Sequence, residues 1–427
     1  MNVVDSEVVA AILQPQNYEI TESIHDAELI LVNTCSIRDN AEQRVRSRLK
    51  EFGRLKQQNR DVSVGVIGCM AERLKETLLE EEEVVDLVVG PDAYRDLPAL
   101  LSEVENGQRG INTILSLEET YGDIRPVRLD KNRVTSFVSI MRGCNNHCAY
   151  CVVPETRGRE RSRDPETIHR EVSELFEQGY REVTLLGQNV NSYRWEKGGR
   201  ELSFEQLLAR IAGINPALRV RFATSHPKDL PDSLLKVMAQ WPNLCKSIHL
   251  PVQSGSSSVL NRMNRRYTRE HYMERVTAIR RYLPEASLST DIIAGFCGET
   301  GAEHRQTLEL MKWAGYDFAF MFKYSEHPGT LAQREYRDDV PEEKKTARLN
   351  EIIGLQAELS LESKKKDVGE TFEVLIEGTS KRSDEHLFGR TTQNKVVVFP
   401  KGNLRPGEYV NVKITDCTSA TLIGTPA

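Results

Sequence analysis

The chain has 427 residues, of which 39% are hydrophobic, 28% charged and 7% aromatic. This globular profile excludes disorder, collagen and a coiled coil as overall classes. The net charge of −6 is uneven, because residues 1–120 hold 12 Lys and Arg against 23 Asp and Glu while the remainder is net basic, so an anionic partner stays open.

Residues 1–120 alternate strand and helix. Apolar runs from Glu28, from Asp61 and from Val84 read as strands, and the first two end at Cys35 and Cys69. The charged segment from Asn40 to Gln58 reads as the helix between them. This rhythm predicts a Rossmann-like parallel α/β domain whose ligands sit beyond the strand ends. Residues 121–135 read as a linker. Strand-like segments then recur near 136–141, 183–187, 219–224, 246–250, 287–293 and 317–323. Helical stretches at Pro165–Gln178, Phe204–Ile211, Arg269–Tyr282 and Ala302–Trp313 separate them. Six such units predict an open (β/α)6 partial barrel over 136–363, since a full eightfold barrel needs more chain. From residue 364 to 427, short strands with turn signals predict a small all-β barrel. No run approaches the roughly 18 apolar residues of a membrane helix. The start, Met1-Asn2-Val3-Val4-Asp5, lacks signal-peptide character, and a cytoplasmic chain is expected.

Eight cysteines are present. A disulfide framework is not expected in a long chain without a secretory signal, and Cys245, Cys297 and Cys417, each alone among apolar or small residues, read as core. Cys144, Cys148 and Cys151 form a C-x3-C-x2-C run directly after a strand. Three thiolates on one loop can share a metal centre. Structural zinc wants four protein ligands and none is obvious as the fourth, His147 being wrongly spaced for a finger. A four-iron cluster normally takes four cysteines, so three leave one iron open to bind a substrate or cofactor. A zinc knuckle is the bland alternative.

C-x3-C-x2-C with Tyr150 before the last cysteine resembles the signature of radical S-adenosylmethionine enzymes. The segments Ser139–Arg163, Leu185–Ser192, His249–Ser256 and Asp291–Phe296 extend the likeness, over essentially the whole chain, to the bacterial tRNA methylthiotransferases within that superfamily. The resemblance implies an N-terminal α/β domain, a radical-enzyme barrel and a C-terminal TRAM barrel. It implies two [4Fe–4S] clusters. Cys144, Cys148 and Cys151 would hold one, which binds S-adenosylmethionine and reduces it, and Tyr150 would lie at that cofactor. The radical so made would take a hydrogen from carbon 2 of an adenine, a position that acid–base chemistry cannot activate. Cys35 and Cys69 match two of the three ligands of the second, auxiliary cluster. The third should lie just upstream of Met1-Asn2 and is not in this chain. The implied product is a methylthio group on N(6)-isopentenyladenosine at position 37 of tRNA, made with two S-adenosylmethionine molecules. Modification of a threonylcarbamoyl-adenosine or of a ribosomal aspartate are alternatives within the superfamily. A zinc-dependent RNA-binding protein without chemistry is an alternative outside it. The expected partners are a tRNA anticodon stem-loop, an electron donor and a sulfur source, with no membrane, and a monomer is expected.

Barrel site residues come from the C-terminal ends of strands, where Gln188, Asn189, Ser225 with His226, Gln253 and Asp291 are read. Gln188 and Asn189 suit the amino and carboxylate groups of S-adenosylmethionine, and Ser225, Gln253 and Asp291 its ribose or the substrate. Arg157, Arg159, Arg161 and Arg163 are read as phosphate contacts for RNA, as is, more weakly, a second arginine-rich stretch over 262–281. In the C-terminal barrel Lys381, Arg382, Phe388, Arg390 and Lys395 are read the same way.

Overall fold

The computed structural model describes residues 1–35, 39–59, 61–130 and 132–427. Ser36, Ile37 and Arg38, which complete the expected Cys35 motif, and Lys131 of the expected linker lie outside these. Backbone contacts group residues 1–129, 141–163 and 327–331 into one unit and 130–140, 164–326 and 332–427 into a second.

The first unit holds α1 (Asn2–Leu13), β1 (Leu29–Thr34), α2 (Asp39–Gln58), β2 (Ser63–Gly68), α3 (Cys69–Leu74), α4 (Glu76–Glu81), β3 (Leu87–Val89), α5 (Leu97–Glu105) and β4 (Gly110–Asn112). The strands make a parallel sheet in the order β1-β2-β3-β4. Three strands were expected here. The fourth, β4, is three residues long, too short to show a period, and is set by pairing with β3 (Leu87↔Gly110). Val64, Val66 and Val88 of the sheet pack with Leu49 and Phe52 of α2, Met70 of α3 and Leu78 of α4.

The chain enters the second unit through β5 (Thr135–Ser139) and returns to the first through β6 (Met141–Arg142), α6 (Val153–Arg157) and β7 (Arg161–Ser162). The antiparallel β6 and β7 close the base of the cysteine loop (Arg142↔Arg161).

The second unit continues with α7 (Pro165–Glu177), β8 (Glu182–Leu186), a hairpin of β9 (Arg194–Lys197) and β10 (Arg200–Ser203), α8 (Phe204–Ala212), β11 (Arg219–Ala223), α9 (Asp232–Gln240), β12 (Ser247–His249), α10 (Ser257–Arg262), α11 (Arg269–Tyr282), β13 (Ser287–Ala294), α12 (Gly301–Ala314), β14 (Phe318–Lys323), α13 (Leu331–Glu335) and α14 (Glu342–Lys365). The six expected strands are all present and parallel. They form one sheet in the order β11-β8-β5 and another in the order β12-β13-β14. The bridge Val220↔Leu244 lies between the two sheets, so β5 and β14 are the edges of an open partial barrel. Helix α7 starts where Asp164 accepts from the Glu166 N–H, and buries Ile168, Val172 and Leu175 at helical spacing. A Thr300–Glu303 capping box starts α12, and Gly315 in the left-handed region ends it.

At the end of the chain β15 (Thr371–Ser380), β16 (Ser383–Arg390), β17 (Val396–Pro400), β18 (Tyr409–Cys417) and β19 (Leu422–Pro426) form a closed barrel in the order β15-β16-β17-β19-β18. Val374, Ile376, Leu387, Val397, Phe399, Val412, Ile414 and Leu422 fill it. Gly389 is required there, since a Cβ would meet the Leu375 carbonyl oxygen at 2.1 Å. This small barrel docks at the N-terminal ends of the large barrel's strands. Arg219, at the start of β11, donates to the carbonyls of Glu373 and Arg390 at 2.9 and 2.8 Å. Tyr409 Oη donates to the carbonyls of Arg181 and Ala217, and Ser287 Oγ to that of Gln393 at 2.6 Å.

Candidate cluster loop and cofactor rim

The cysteine loop is braced from both ends. Gly143 has φ +77, and a Cβ there would lie 2.0 Å from the Arg159 carbonyl oxygen, so only glycine fits. The Cys144 N–H donates to Gly158 O at 3.1 Å, and the Cys151 N–H to Cys148 O at 3.0 Å. Cys148 is buried, Cys144 and Cys151 are half-buried, and none forms a disulfide. Burial pushes the Cys144 thiol up to about 11, against a hydrogen bond from the Asn146 N–H. Among the described residues no three His, Cys, Asp or Glu side chains gather as a single metal ion requires. Three cysteines outside any disulfide, on one anchored loop, offer the kind of donor set a four-iron cluster takes.

Around the loop lies a buried ion network. Arg142 Nη1 bonds Asp5 Oδ1 at 2.9 Å, and Arg157 Nη2 bonds Asp5 Oδ2 at 2.7 Å. Burial opposes the Asp5 charge, but Arg142 and Arg157 hold its carboxyl down at about 2. Arg161 bonds both oxygens of Asp92 at 2.6 and 3.1 Å. Arg142 also donates to Pro91 O and lies over the Tyr121 ring. Arg163 is buried and donates to Gly122 O at 3.3 Å. The expectation that Arg157, Arg161 and Arg163 contact RNA is corrected: all three are buried, Arg157 and Arg161 clamp the cysteine loop to the sheet domain, and Arg163 ties to Gly122. Arg159 is exposed.

Cys35 follows β1 and Cys69 begins α3 after β2, and the paired ends Thr34↔Gly68 place them on one sheet edge. Arg157 Nε donates to Cys69 Sγ at 3.2 Å. Asn33 Nδ2 bonds Asn2 O at 2.8 Å, which brings the first residues to the same edge.

In the second unit, the C-terminal ends of β8 and β11 gather buried polar atoms without a hydrogen-bond partner: Gln188 Oε1, Asn189 Oδ1, both amide atoms of Asn191, Ser225 Oγ and His226 Nε2. Buried polar groups are normally satisfied, so this cluster is a candidate ligand site. Asn189 is steered by its Nδ2 bond to Asp229 at 2.8 Å. His226 Nδ1 accepts from the Lys228 N–H, which leaves the ring proton on Nε2. Burial, with Arg265, Lys228 and Arg266 nearby, lowers its imidazole to about 2, so it stays a neutral donor. Thr224 and Gln253, at φ +74 and +69, hold the unfavourable backbone that concentrates at binding sites. Gln253 is buried, its N–H bonded to Asp291 O at 2.8 Å. Asn191 was not singled out from the sequence, although it stands inside a segment that was, and His226 was placed at the rim beside Ser225 without a role. Asp291 is a correction: it sits mid-strand in β13, with Oδ1 3.4 Å from His249 Nε2, not at a strand end.

Tyr150 is half-buried within the cysteine loop. Lys381 and Arg382 are exposed on the β15–β16 turn, but Arg390 pairs with Glu377 at 3.1 Å and Lys395 with Asp367 at 2.7 Å. These two cations are neutralised within the fold. So are Arg262 (to Glu303) and Arg275 (to Asp232) of the second arginine stretch, and Arg265 is buried. Cys245 and Cys297 are buried as expected, while Cys417 is half-buried.

Residues 138–311 match the radical SAM superfamily, 365–427 the TRAM domain, and 1–90 the uncharacterized protein family UPF0004. A tRNA-2-methylthio-N(6)-dimethylallyladenosine synthase of Phocaeicola vulgatus is 58% identical over 99% of this chain and 93% of its own length. Those of Amoebophilus asiaticus and Flavobacterium johnsoniae are 56% and 53% identical over 99% of the chain. The chain belongs to this synthase family. The fold likeness extends to distant radical enzymes of the superfamily. The methyltransferase TsrM of Kitasatospora setae matches with TM-score 0.57 at 14% identity, over 77% of this chain and 70% of its own. OxsB, a cobalamin-dependent radical enzyme, matches with TM-score 0.55 at 12% identity, over 83% and 53%. Among the described residues no helix of this synthase-family chain is long and apolar enough to cross a membrane.

Proposed function

We propose that the chain is a radical S-adenosylmethionine methylthiotransferase that adds a methylthio group to carbon 2 of N(6)-isopentenyladenosine at position 37 of tRNA. The observation that carries the reading is the braced C-x3-C-x2-C loop, its cysteines outside any disulfide, within a chain of this family. Cys144, Cys148 and Cys151 would hold a four-iron cluster, and that cluster with S-adenosylmethionine supplies the radical chemistry that carbon 2 demands. The chain's own residues bind and orient. Gln188, Asn189, Asn191 and Ser225 offer acceptors and donors to the amino-acid end and ribose of S-adenosylmethionine. His226 offers a neutral N–H, which adds no charge beside the cofactor. Residues 1–120, 136–363 and 364–427 serve as the sulfur-carrying, radical and RNA-binding modules, joined by 121–135.

Cys35 and Cys69 would be ligands of an auxiliary cluster. Their shared sheet edge supports this, and the Asn2–Asn33 bond brings the first residues of the chain to the same edge. Arg159, Lys381 and Arg382 are the exposed cations offered to the anticodon stem-loop. A reductant and a sulfur donor complete the partners. The test is anaerobic iron and acid-labile sulfide analysis alongside S-adenosylmethionine cleavage, for wild type and Cys144→Ala. The expected outcome is about four fewer irons in the variant, no cleavage, and retained tRNA binding. Asn191→Ala should weaken S-adenosylmethionine binding about tenfold with iron unchanged. Cleavage retained in Cys144→Ala would refute the cluster assignment.

A further inference from the structure

The two edge strands of the open barrel carry large aromatic side chains on the face its helices do not cover. On β14, Phe318 and Phe320 are each 49% exposed, while Ala319 between them is buried. Helix α14 packs at the other side of this strand, where Gln356 Nε2 donates to Tyr316 O and Ser360 Oγ to Asp317 O. The two rings meet edge to face with centroids 4.8 Å apart. On β5 at the opposite edge, Phe137 is 42% exposed between buried Ser136 and Val138. The strand beside β14 is β13, with Ser289↔Phe318 and Asp291↔Phe320 in register. His249 of β12 places its ring 5.8 Å from that of Phe320, its Nδ1 3.0 Å from Ser289 Oγ and its Nε2 3.4 Å from Asp291. A pair of exposed rings thus adjoins a patch of donors and acceptors.

That pairing matches one kind of occupant. The product named for the family carries an apolar five-carbon substituent on N(6) of an adenine, so its target nucleoside is greasy on one edge and polar on the base itself. A lone exposed phenylalanine needs no explanation, but a contiguous aromatic pair beside a polar cluster is a recognition surface. Aromatic faces also accept bases and apolar tails at little entropic cost. We propose that Phe318 and Phe320 form the wall that receives the N(6)-dimethylallyl group of the target adenosine, with His249 and Asp291 facing the base. The two rings are then specificity-determining residues that separate prenylated from unmodified adenosine. The inference rests on the function proposed above and deepens it.

The experiment uses the full chain and two anticodon stem-loop RNAs that differ only in adenosine or N(6)-dimethylallyladenosine at the target position. Affinities for both RNAs and for S-adenosylmethionine are measured for wild type, Phe318→Ala, Phe320→Ala and the conservative Phe320→Leu. The wild type should prefer the prenylated RNA. Each alanine variant should lose about tenfold of that preference, by weakening the prenylated RNA alone, and Phe320→Leu should keep most of it. Equal weakening of both RNAs would overturn the wall. So would a fall in S-adenosylmethionine affinity with the RNA preference intact, which would seat the cofactor there, or a wild type that binds both RNAs alike. A wild type that binds neither RNA would refute the tRNA-directed function, and the wall with it.

Discussion

Glu72 is a buried carboxyl whose surroundings oppose its charge. It follows Cys69 by three positions on α3, its side chain is 1% exposed, and Oε2 has no hydrogen-bond partner. Burial raises its carboxyl from 4.5 to about 7, with only Lys75 opposing. Through that window the folded chain keeps a proton that the unfolded chain has released, so stability falls as pH rises. Glu72→Gln should therefore be more stable than wild type at pH 8, by about 2 kcal/mol, with the gain fading below about pH 5. Denaturant melts across that range check it, and a pH-independent difference would place the cost elsewhere. Glu72 gave no signal in the sequence, because a lone glutamate in a helical stretch reads as solvated surface. The rim residues Gln188, Asn189 and Ser225 were legible because each follows a strand whose end could be read from its apolar run. Asn191 was not, since what marks it is the lack of a partner in three dimensions.

At the scale of elements, the arginine run after the cysteine loop shows where local pattern misleads. Arg157, Arg159, Arg161 and Arg163 alternate like a basic surface strip. Their partners lie far away in sequence: Asp5 is 152 positions from Arg157, and Asp92 is 69 from Arg161. No local window shows such pairs, so three of the four cations were misread. Arg157→Gln should leave Asp5 half-compensated and cost about 3 kcal/mol, with the salt dependence of RNA binding unchanged. Arg159→Glu should change stability by less than about 0.5 kcal/mol, yet weaken tRNA binding and flatten its salt slope by about one unit. Denaturation and salt-titrated binding on both variants separate the roles, and the reverse pattern would restore the sequence reading. The six barrel strands and the helices α7, α8, α11 and α12 were legible to within a few residues. Helices α1, α5 and α9, the β9–β10 hairpin and strand β4 were not read; α1 and α9 lack a capping side chain and β4 lacks length.

Across the whole second unit, the C-terminal barrel is held by polar contacts in which a buried cation takes a leading part. Arg219 is 3% exposed, stacks on Tyr409 with its guanidinium 4.8 Å from the ring centroid, and donates to two carbonyls of the small barrel. Arg219→Ala should strip those carbonyls of their donor at a cost of about 2 kcal/mol. Amide exchange in β15 and β16 should quicken while that in β8 and β13 holds. Uniform quickening would mean that the small barrel shares the global unfolding unit. The order of modules was readable from the sequence, whereas this docking was not, because Arg219 and Tyr409 are 190 residues apart and neither belongs to a motif.

The clamp of Arg142, Arg157 and Arg161 ties the fate of the cysteine loop to that of its whole unit. Glycine geometry, backbone hydrogen bonds and buried ion pairs reach from the loop to residues as distant in sequence as Asp5 and Asp92. The loop therefore cannot loosen alone: whatever disorders it must also strand buried charges in the sheet domain.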